Sequence, residues 1–148
     1  MTGIFNFKEV DSQIAIGGQP MLNQFELLDR QGYQAIVQIR VQEADYVLQD
    51  EAYQVNQHNM EHGAMNMSFA NPTLVDVEKF FALMDKFKGK KVFAHCAAGF
   101  CTSGMIAMYK MKREGISFDD AKAQYALEQW QPNDSWLRLI EEVKQADL

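Results

Sequence analysis

The sequence predicts an α/β fold: a mainly parallel central sheet with helices packed on both faces. Three observations predict it. Short apolar runs of strand length alternate with stretches whose apolar residues recur at three- and four-residue spacing. The run Ala35-Ile36-Val37-Gln38-Ile39 is apolar on both sides of the chain apart from Gln38, as a strand covered on both faces must be. The C-terminal third then reads as consecutive helices, so the order is strands and helices in alternation, followed by helices to the end.

Each element has its own signal. Ile4-Phe5-Asn6-Phe7 and Gln13-Ile14-Ala15-Ile16 cluster in a strand-like way, and Gly17-Gly18 stops the second. Gln19-Pro20 opens a helix in which Met21, Phe25 and Leu28 share a face, with Gly32 as its C-terminal stop. The strand at 35–39 ends at Arg40. Ala44, Leu48, Ala52 and Val55 make one stripe, predicting a helix over 42–56, and Met65-Asn66-Met67-Ser68-Phe69 alternates as a strand. Thr73 with Asp76 three residues on is a capping box for a helix whose Val77, Phe80, Phe81, Met84 and Phe87 face the core. Val92-Phe93-Ala94 is a short buried strand. Met105, Met108 and Tyr109 mark a helix from Thr102, Ser117 with Asp120 caps another, and Pro132-Asn133-Asp134 precedes a last helix carrying Trp136, Leu139, Ile140 and Val143.

The 148 residues suit a single domain over 1–148 with a real core. A hydrophobic content of 47% and a charged content of 23% are those of a soluble globular chain. A net charge of -6 argues against nucleic acid or an anionic membrane surface as the main partner. It leaves a phosphorylated substrate open, because only the local field at a site matters there. Two cysteines do not make a disulfide framework. No run approaches a membrane span, and Met1-Thr2-Gly3-Ile4-Phe5 lacks the regions of a signal peptide, so a cytoplasmic location is expected. A mature periplasmic chain stripped of its signal would look the same. No repeat, low-complexity tract or linker is present.

Chemistry concentrates at His95-Cys96-Ala97-Ala98-Gly99-Phe100-Cys101-Thr102-Ser103. A strand, a small-residue loop and a helix N-terminus aim several backbone N–H groups at one point. That arrangement attracts anions, because those amides lack intrahelical partners and the helix dipole adds positive potential. A cysteine at the head of such a loop has its thiolate stabilised. Cys96 is therefore the candidate nucleophile, with Ala97, Ala98, Gly99, Phe100, Cys101, Thr102 and Ser103 as the anion-binding cradle. The bland alternative is a buried cysteine packing as a small hydrophobe.

The stretch resembles the signature loop of the cysteine-dependent tyrosine and dual-specificity phosphatases, which runs His-Cys, five residues, Arg, then Ser or Thr. His95, Cys96, Gly99 and Ser103 fall on that pattern, and the arginine position is held by Thr102. Arginine stands one place earlier in some small bacterial relatives, and that place is Cys101 here. Gly17-Gly18-Gln19-Pro20, Gly32-Tyr33 ahead of a strand ending Ile39-Arg40, and Asn71-Pro72-Thr73 further resemble a small bacterial phosphatase-like family without an assigned role. The resemblance implies a compact phosphatase fold and, where the arginine is kept, hydrolysis of phosphate monoesters through a phosphocysteine. It also implies a structural role for His95 behind the cysteine, and a general-acid aspartate near Ser68, Phe69 and Asn71, none of which is an acid.

Arg40, at the carboxyl end of its strand, is a candidate supporting anion-binding residue, with a surface salt bridge to Glu43 or Asp45 as its alternative. Cys101 is either filler or a thiol close enough to Cys96 for oxidation chemistry. Ser103 either caps the helix or hydrogen-bonds the sulfur. His58 and His62 are four apart but lack an obvious third ligand, so no metal and no cofactor is expected. Loss of the loop arginine removes the guanidinium clamp for phosphate oxygens. The expected function is thus a phosphatase-like protein with an anion-binding cysteine loop and weak or absent hydrolysis. An active phosphatase clamped by Arg40, persulfide transfer, and a module reading phosphorylated partners are the alternatives. The expected partner is a phosphate-like anion or phosphorylated substrate.

Overall fold

The computed structural model describes residues 2–148, and Met1 of the N-terminal reading above lies outside them. Among the described residues the strands form one five-stranded sheet in the order β1-β2-β5-β3-β4. These are β1 (Lys8–Glu9), β2 (Ile14–Gly17), β3 (Ala35–Val41), β4 (Glu61–Met67) and β5 (Val92–His95). Only β1 is antiparallel; β2, β5, β3 and β4 run parallel, as the alternation with helices requires. The helices are α1 (Leu22–Arg30), α2 (Glu51–Asn56), α3 (Leu74–Lys86), α4 (Phe100–Glu114), α5 (Phe118–Tyr125) and α6 (Asp134–Gln145).

Side chains alternate across the pleat of β3, so its two faces serve two cores. Val37, Ile39 and Val41 join Val77, Phe80, Met105, Met108, Trp136 and other residues of α3 to α6 in the larger one. Ile36 joins Phe25, Leu28 and Val55 of α1 and α2 on the opposite face. Emptying a site such as Phe80 would cost about 3–5 kcal/mol, a large part of a domain's net stability. The predicted capping boxes and caps form as expected: Thr73 Oγ1 accepts from Asp76 N at 3.2 Å and Ser117 Oγ from Asp120 N at 3.1 Å.

Several boundaries differ. Residues 4–7 are a turn, not a strand: Phe7 N–H donates to the Ile4 carbonyl at 3.2 Å and Asn6 has φ 56. Met21 precedes α1 and is exposed, because the helix begins one residue later. The helix expected over 42–56 survives only as α2. Gln42 N–H instead donates to the Met67 carbonyl at 2.8 Å, and the Leu48 carbonyl accepts from Gln38 Nε2 at 3.2 Å. Ala52 and Val55 of the stripe lie in α2, whereas Ala44 and Leu48 belong to a loop draped over the sheet, with Leu48 buried beneath it. Strand β4 ends at Met67, short of Phe69, and α4 starts two residues before Thr102. All these parallel strands deliver their carboxyl ends to one edge, where the β5–α4 loop lies.

Candidate functional site

Between β5 and α4 the chain turns through Cys96-Ala97-Ala98-Gly99. Gly99 has φ 95, and a Cβ there would sit 2.8 Å from Leu127 Cδ1, so any other residue would strain the turn. Its N–H points inward and donates to Cys96 Sγ at 3.0 Å, while Thr102 Oγ1 lies 3.1 Å from the same sulfur. Burial by itself would raise the Cys96 thiol. Hydrogen bonds from the Cys101 thiol, the Thr102 hydroxyl and the amides of Thr102 and Gly99 outweigh it, bringing the pKa from 9.0 down to about 5. With Cys96 ionised, the Thr102 hydroxyl donates to it. Cys101 is pushed the other way, upward, by its hydrogen bond to Cys96, by burial and by nearby negative charge.

The loop is held from outside by its carbonyls. Gln19 N–H donates to the Ala97 carbonyl at 3.0 Å, and Asn6 Nδ2 donates to the Ala98 carbonyl at 2.8 Å. Across a trans peptide the N–H lies opposite the C=O, so these tethers turn the Ala98 and Gly99 amides away from Gln19 and Asn6. For Gly99 that direction is the sulfur. Gly18 lets the segments that follow β2 and β5 approach this closely, since a Cβ on it would lie 2.8 Å from the Ala97 carbonyl oxygen.

His95 ends β5 fully buried. Its Nε2 is 2.6 Å from Glu51 Oε2 and its Nδ1 is 3.1 Å from the Cys96 carbonyl oxygen. Glu51 is also buried. Its other oxygen accepts from Gln19 Nε2 at 2.7 Å, and His62 Nε2 lies 3.3 Å from Oε2. Burial alone would push Glu51 up and His95 down. Their mutual attraction and hydrogen bonds prevail, holding Glu51 low and His95 high. An imidazolium between these two acceptors donates from both nitrogens and fixes the Cys96 peptide.

The sulfur opens onto a pocket of about 170 Å³ whose lining includes Val41, Ala44, Phe69, Phe100 and Cys101. Apart from the Cys96 sulfur, the one charged lining side chain among the described residues is Glu43. Glu43 accepts from Ser68 Oγ at 2.5 Å, Phe69 N at 2.7 Å and Ala70 N at 3.0 Å. Those bonds, the Ser68 hydroxyl foremost, bring its pKa down to about 2.

Two expectations need correction. Arg40 is not at the sulfur: alternation along β3 turns it to the face opposite Val41, into a separate depression with Gln49 and Asn66. Nor does it bridge to Glu43 or Asp45. Ser103 neither caps α4 nor touches the sulfur; its N–H donates to the Gly99 carbonyl at 2.9 Å, already inside the helix, and its Oγ accepts from Leu127 N at 3.0 Å. Ala97, Ala98, Phe100, Cys101 and Thr102 lie at the turn or in the first helical turn, around the sulfur. His58 lies in a turn and His62 in β4, so the two share no helix face.

Sequence reading missed Glu51, Glu43, Asn6 and the role of Gln19. Glu51 had a signal: it stands three residues after Leu48 and four before Val55, on the buried side of that stripe. The others act through chain crossings of 25 residues or more, which no local pattern encodes.

A family described as a DSP-PTPase phosphatase fused to NAD+ kinase matches residues 4–138. Among solved structures, a DUF442 protein of Shewanella putrefaciens, described as a phosphatase, is 27% identical with a TM-score of 0.84, over 97% of this chain and 93% of that one. Tk-PTP in its active form is 17% identical with a TM-score of 0.81, over 96% and 98% of the two chains. A human tyrosine phosphatase-like serine/threonine/tyrosine-interacting protein is 18% identical with a TM-score of 0.75, over 94% and 95%. No curated protein matches. The chain belongs to the DSP-PTPase phosphatase family described as fused to NAD+ kinase.

Proposed function

We propose that this is a phosphatase-like protein whose Cys96 loop binds phosphate-like anions and whose hydrolysis of phosphate monoesters is weak or lost. One observation carries the reading: the Cys101 thiol, the Thr102 hydroxyl and the Gly99 amide surround the Cys96 sulfur and stabilise its thiolate, while among the described residues no cation lines its pocket. A thiolate attacking phosphorus forms an S–P bond as the ester P–O bond breaks. The equatorial oxygens then need positive charge, and the leaving oxygen needs a proton. Thr102 supplies no charge where the family pattern has arginine, and lacking such a donor costs about 10²–10³-fold in rate. Glu43, with its pKa about 2, is ionised at neutral pH and has no proton to give. Its carboxylate at the mouth also repels a phosphate dianion. Two neighbours of the same fold were solved with oxyanions, PTPMT1 with PI(5)P and the SIW14 core with citrate, which supports an anionic ligand here.

Hydrolysis of an aryl phosphate by wild type, Cys96→Ser and Thr102→Arg tests the reading. Wild-type turnover should lie at least about 10²-fold below an arginine-containing loop, with partial recovery in Thr102→Arg. Robust wild-type turnover that vanishes in Cys96→Ser would overturn it.

Persulfide transfer is the second reading. The apolar pocket and the Cys101 thiol beside an ionised Cys96 favour it, since sulfur transfer needs a thiolate and no guanidinium. Cys96-dependent transfer of sulfur from thiosulfate to cyanide would promote it.

A further inference from the structure

The carboxyl ends of β3 and β4 hold a second depression, of about 530 Å³, lined by Arg40, Gln42, Gln49, Asn66 and Ser68 among others. Arg40 and Asn66 are register partners on adjacent parallel strands, so their side chains leave the same face of the sheet. Every other arginine has a polar partner: Arg30 pairs with Glu26 at 2.9 Å, Arg113 with Asp85 at 2.8 Å, and Arg138 donates to Ser135 Oγ at 3.4 Å. Among the described residues Arg40 has none, and its Nε is buried without an acceptor. Leaving the Nε donor of a half-buried guanidinium unpaired is unfavourable, and in native proteins such a donor is satisfied by water or an ion or carries strain.

We propose that this depression is a second anion site, distinct from the Cys96 pocket, in which Arg40 takes an oxyanion, phosphate or carboxylate, of a small molecule. The guanidinium fork matches two oxygens of such a group side by side. The amides of Gln42, Gln49 and Asn66 add neutral donors, and among the described residues no carboxylate lines the wall to compete. Val41 lines both this depression and the Cys96 pocket, so the two open next to each other at the end of β3. The site stands on Arg40 and does not depend on what Cys96 does.

The test is a titration of the ¹⁵N-labelled full chain with sodium phosphate and, separately, sodium malonate at constant ionic strength. The Arg40 Nε–H and the Asn66 side-chain amide report this site, and the Gly99 amide reports the Cys96 loop. Saturable shifts at Arg40 and Asn66 are expected, weakened about tenfold or more in Arg40→Gln and retained in Cys96→Ser. Saturation by phosphate alone identifies a phosphate site, by malonate alone a carboxylate site, and by both a general oxyanion site. Saturation at Arg40 with Gly99 unmoved supports the second site while removing the anion reading of the Cys96 loop. Shifts confined to Gly99, shifts that rise linearly without saturating, or no shifts would overturn the assignment, water then being the occupant. Should Arg40→Gln fail to fold, Asn66→Ala at its exposed position carries the test, and unchanged saturation there overturns it.

Discussion

The carboxylate of Glu51 and the imidazole of His95 meet at 2.6 Å with neither side chain exposed to solvent. Both groups pay desolvation, so the pair persists only because Gln19, His62 and the Cys96 carbonyl satisfy the remaining atoms. Through that carbonyl, α2 is tied to the residue at the floor of the pocket.

Glu51→Gln should destabilise the fold by about 3–5 kcal/mol, because it leaves His95 buried without its counter-charge. The pH dependence has a definite sign. Glu51, lowered from 4.5, contributes fully above that value and loses its contribution as pH falls towards its folded pKa; His95, raised from 6.5, contributes fully below that value and loses it as pH rises. Urea denaturation of wild type and variant should therefore differ most between pH 4.5 and 6.5. A difference independent of pH would contradict an ion pair.

Cys96 should react with iodoacetamide at a rate that reaches half its plateau at a pH of about 5. Thr102→Val removes one donor to the thiolate and should move that midpoint upward. Because the folded thiol lies below its unfolded value of 9.0, it should also make stability rise with pH between about 5 and 9, a slope that Cys96→Ser abolishes. A midpoint near 8.5 would mean that the loop amides do not stabilise the anion.

Mild peroxide should convert the Cys96 thiolate to a sulfenic acid, from which the Cys101 thiol displaces water to form a disulfide. Intact-mass measurement would then record the loss of two hydrogens. In Cys101→Ser the same treatment should run on to sulfinic acid at Cys96. Sulfinic Cys96 in the wild type, with Cys101 untouched, would rule the exchange out.

Gly99→Ala should cost about 1–3 kcal/mol in urea denaturation, since it combines a left-handed backbone with a contact at 2.8 Å to Leu127. It should also raise the midpoint of Cys96 alkylation, because the Gly99 N–H is one of the sulfur's donors. Wild-type stability with an unchanged midpoint would show that the turn is not strained by a side chain.

Where local rules operate, the sequence was legible. Thr73 and Asp76 announce α3, and the phenylalanines behind them face the core as their spacing requires. The order strand, loop, helix around Cys96 also read correctly, since small residues and a glycine leave the chain few alternatives, although α4 starts at Phe100, two residues before the expected Thr102. The stripe at Ala44, Leu48, Ala52 and Val55 misled in its first half only: Ala52 and Val55 are in α2, but at Ala44 and Leu48 a loop pressed against the sheet buries residues without helical hydrogen bonds. Arg40 misled for another reason: topology placed it at the right edge, but a period of two decides which face a strand residue takes, and that face is opposite Val41. Asn6 and Glu43 were invisible because each acts on a segment far away in the chain.

Helix α4 has one further consequence. From Cys101 to Met111 every residue is buried, so the helix that begins under the sulfur is also the middle of the larger core. Its amides should exchange with solvent deuterium only when the whole molecule opens, with protection equal to the global unfolding free energy. The first turn of the site therefore has no small cooperative unit of its own to loosen. A change at Thr102 or Cys101 that perturbs this turn will be felt as lower abundance in the cell before it is felt as altered chemistry.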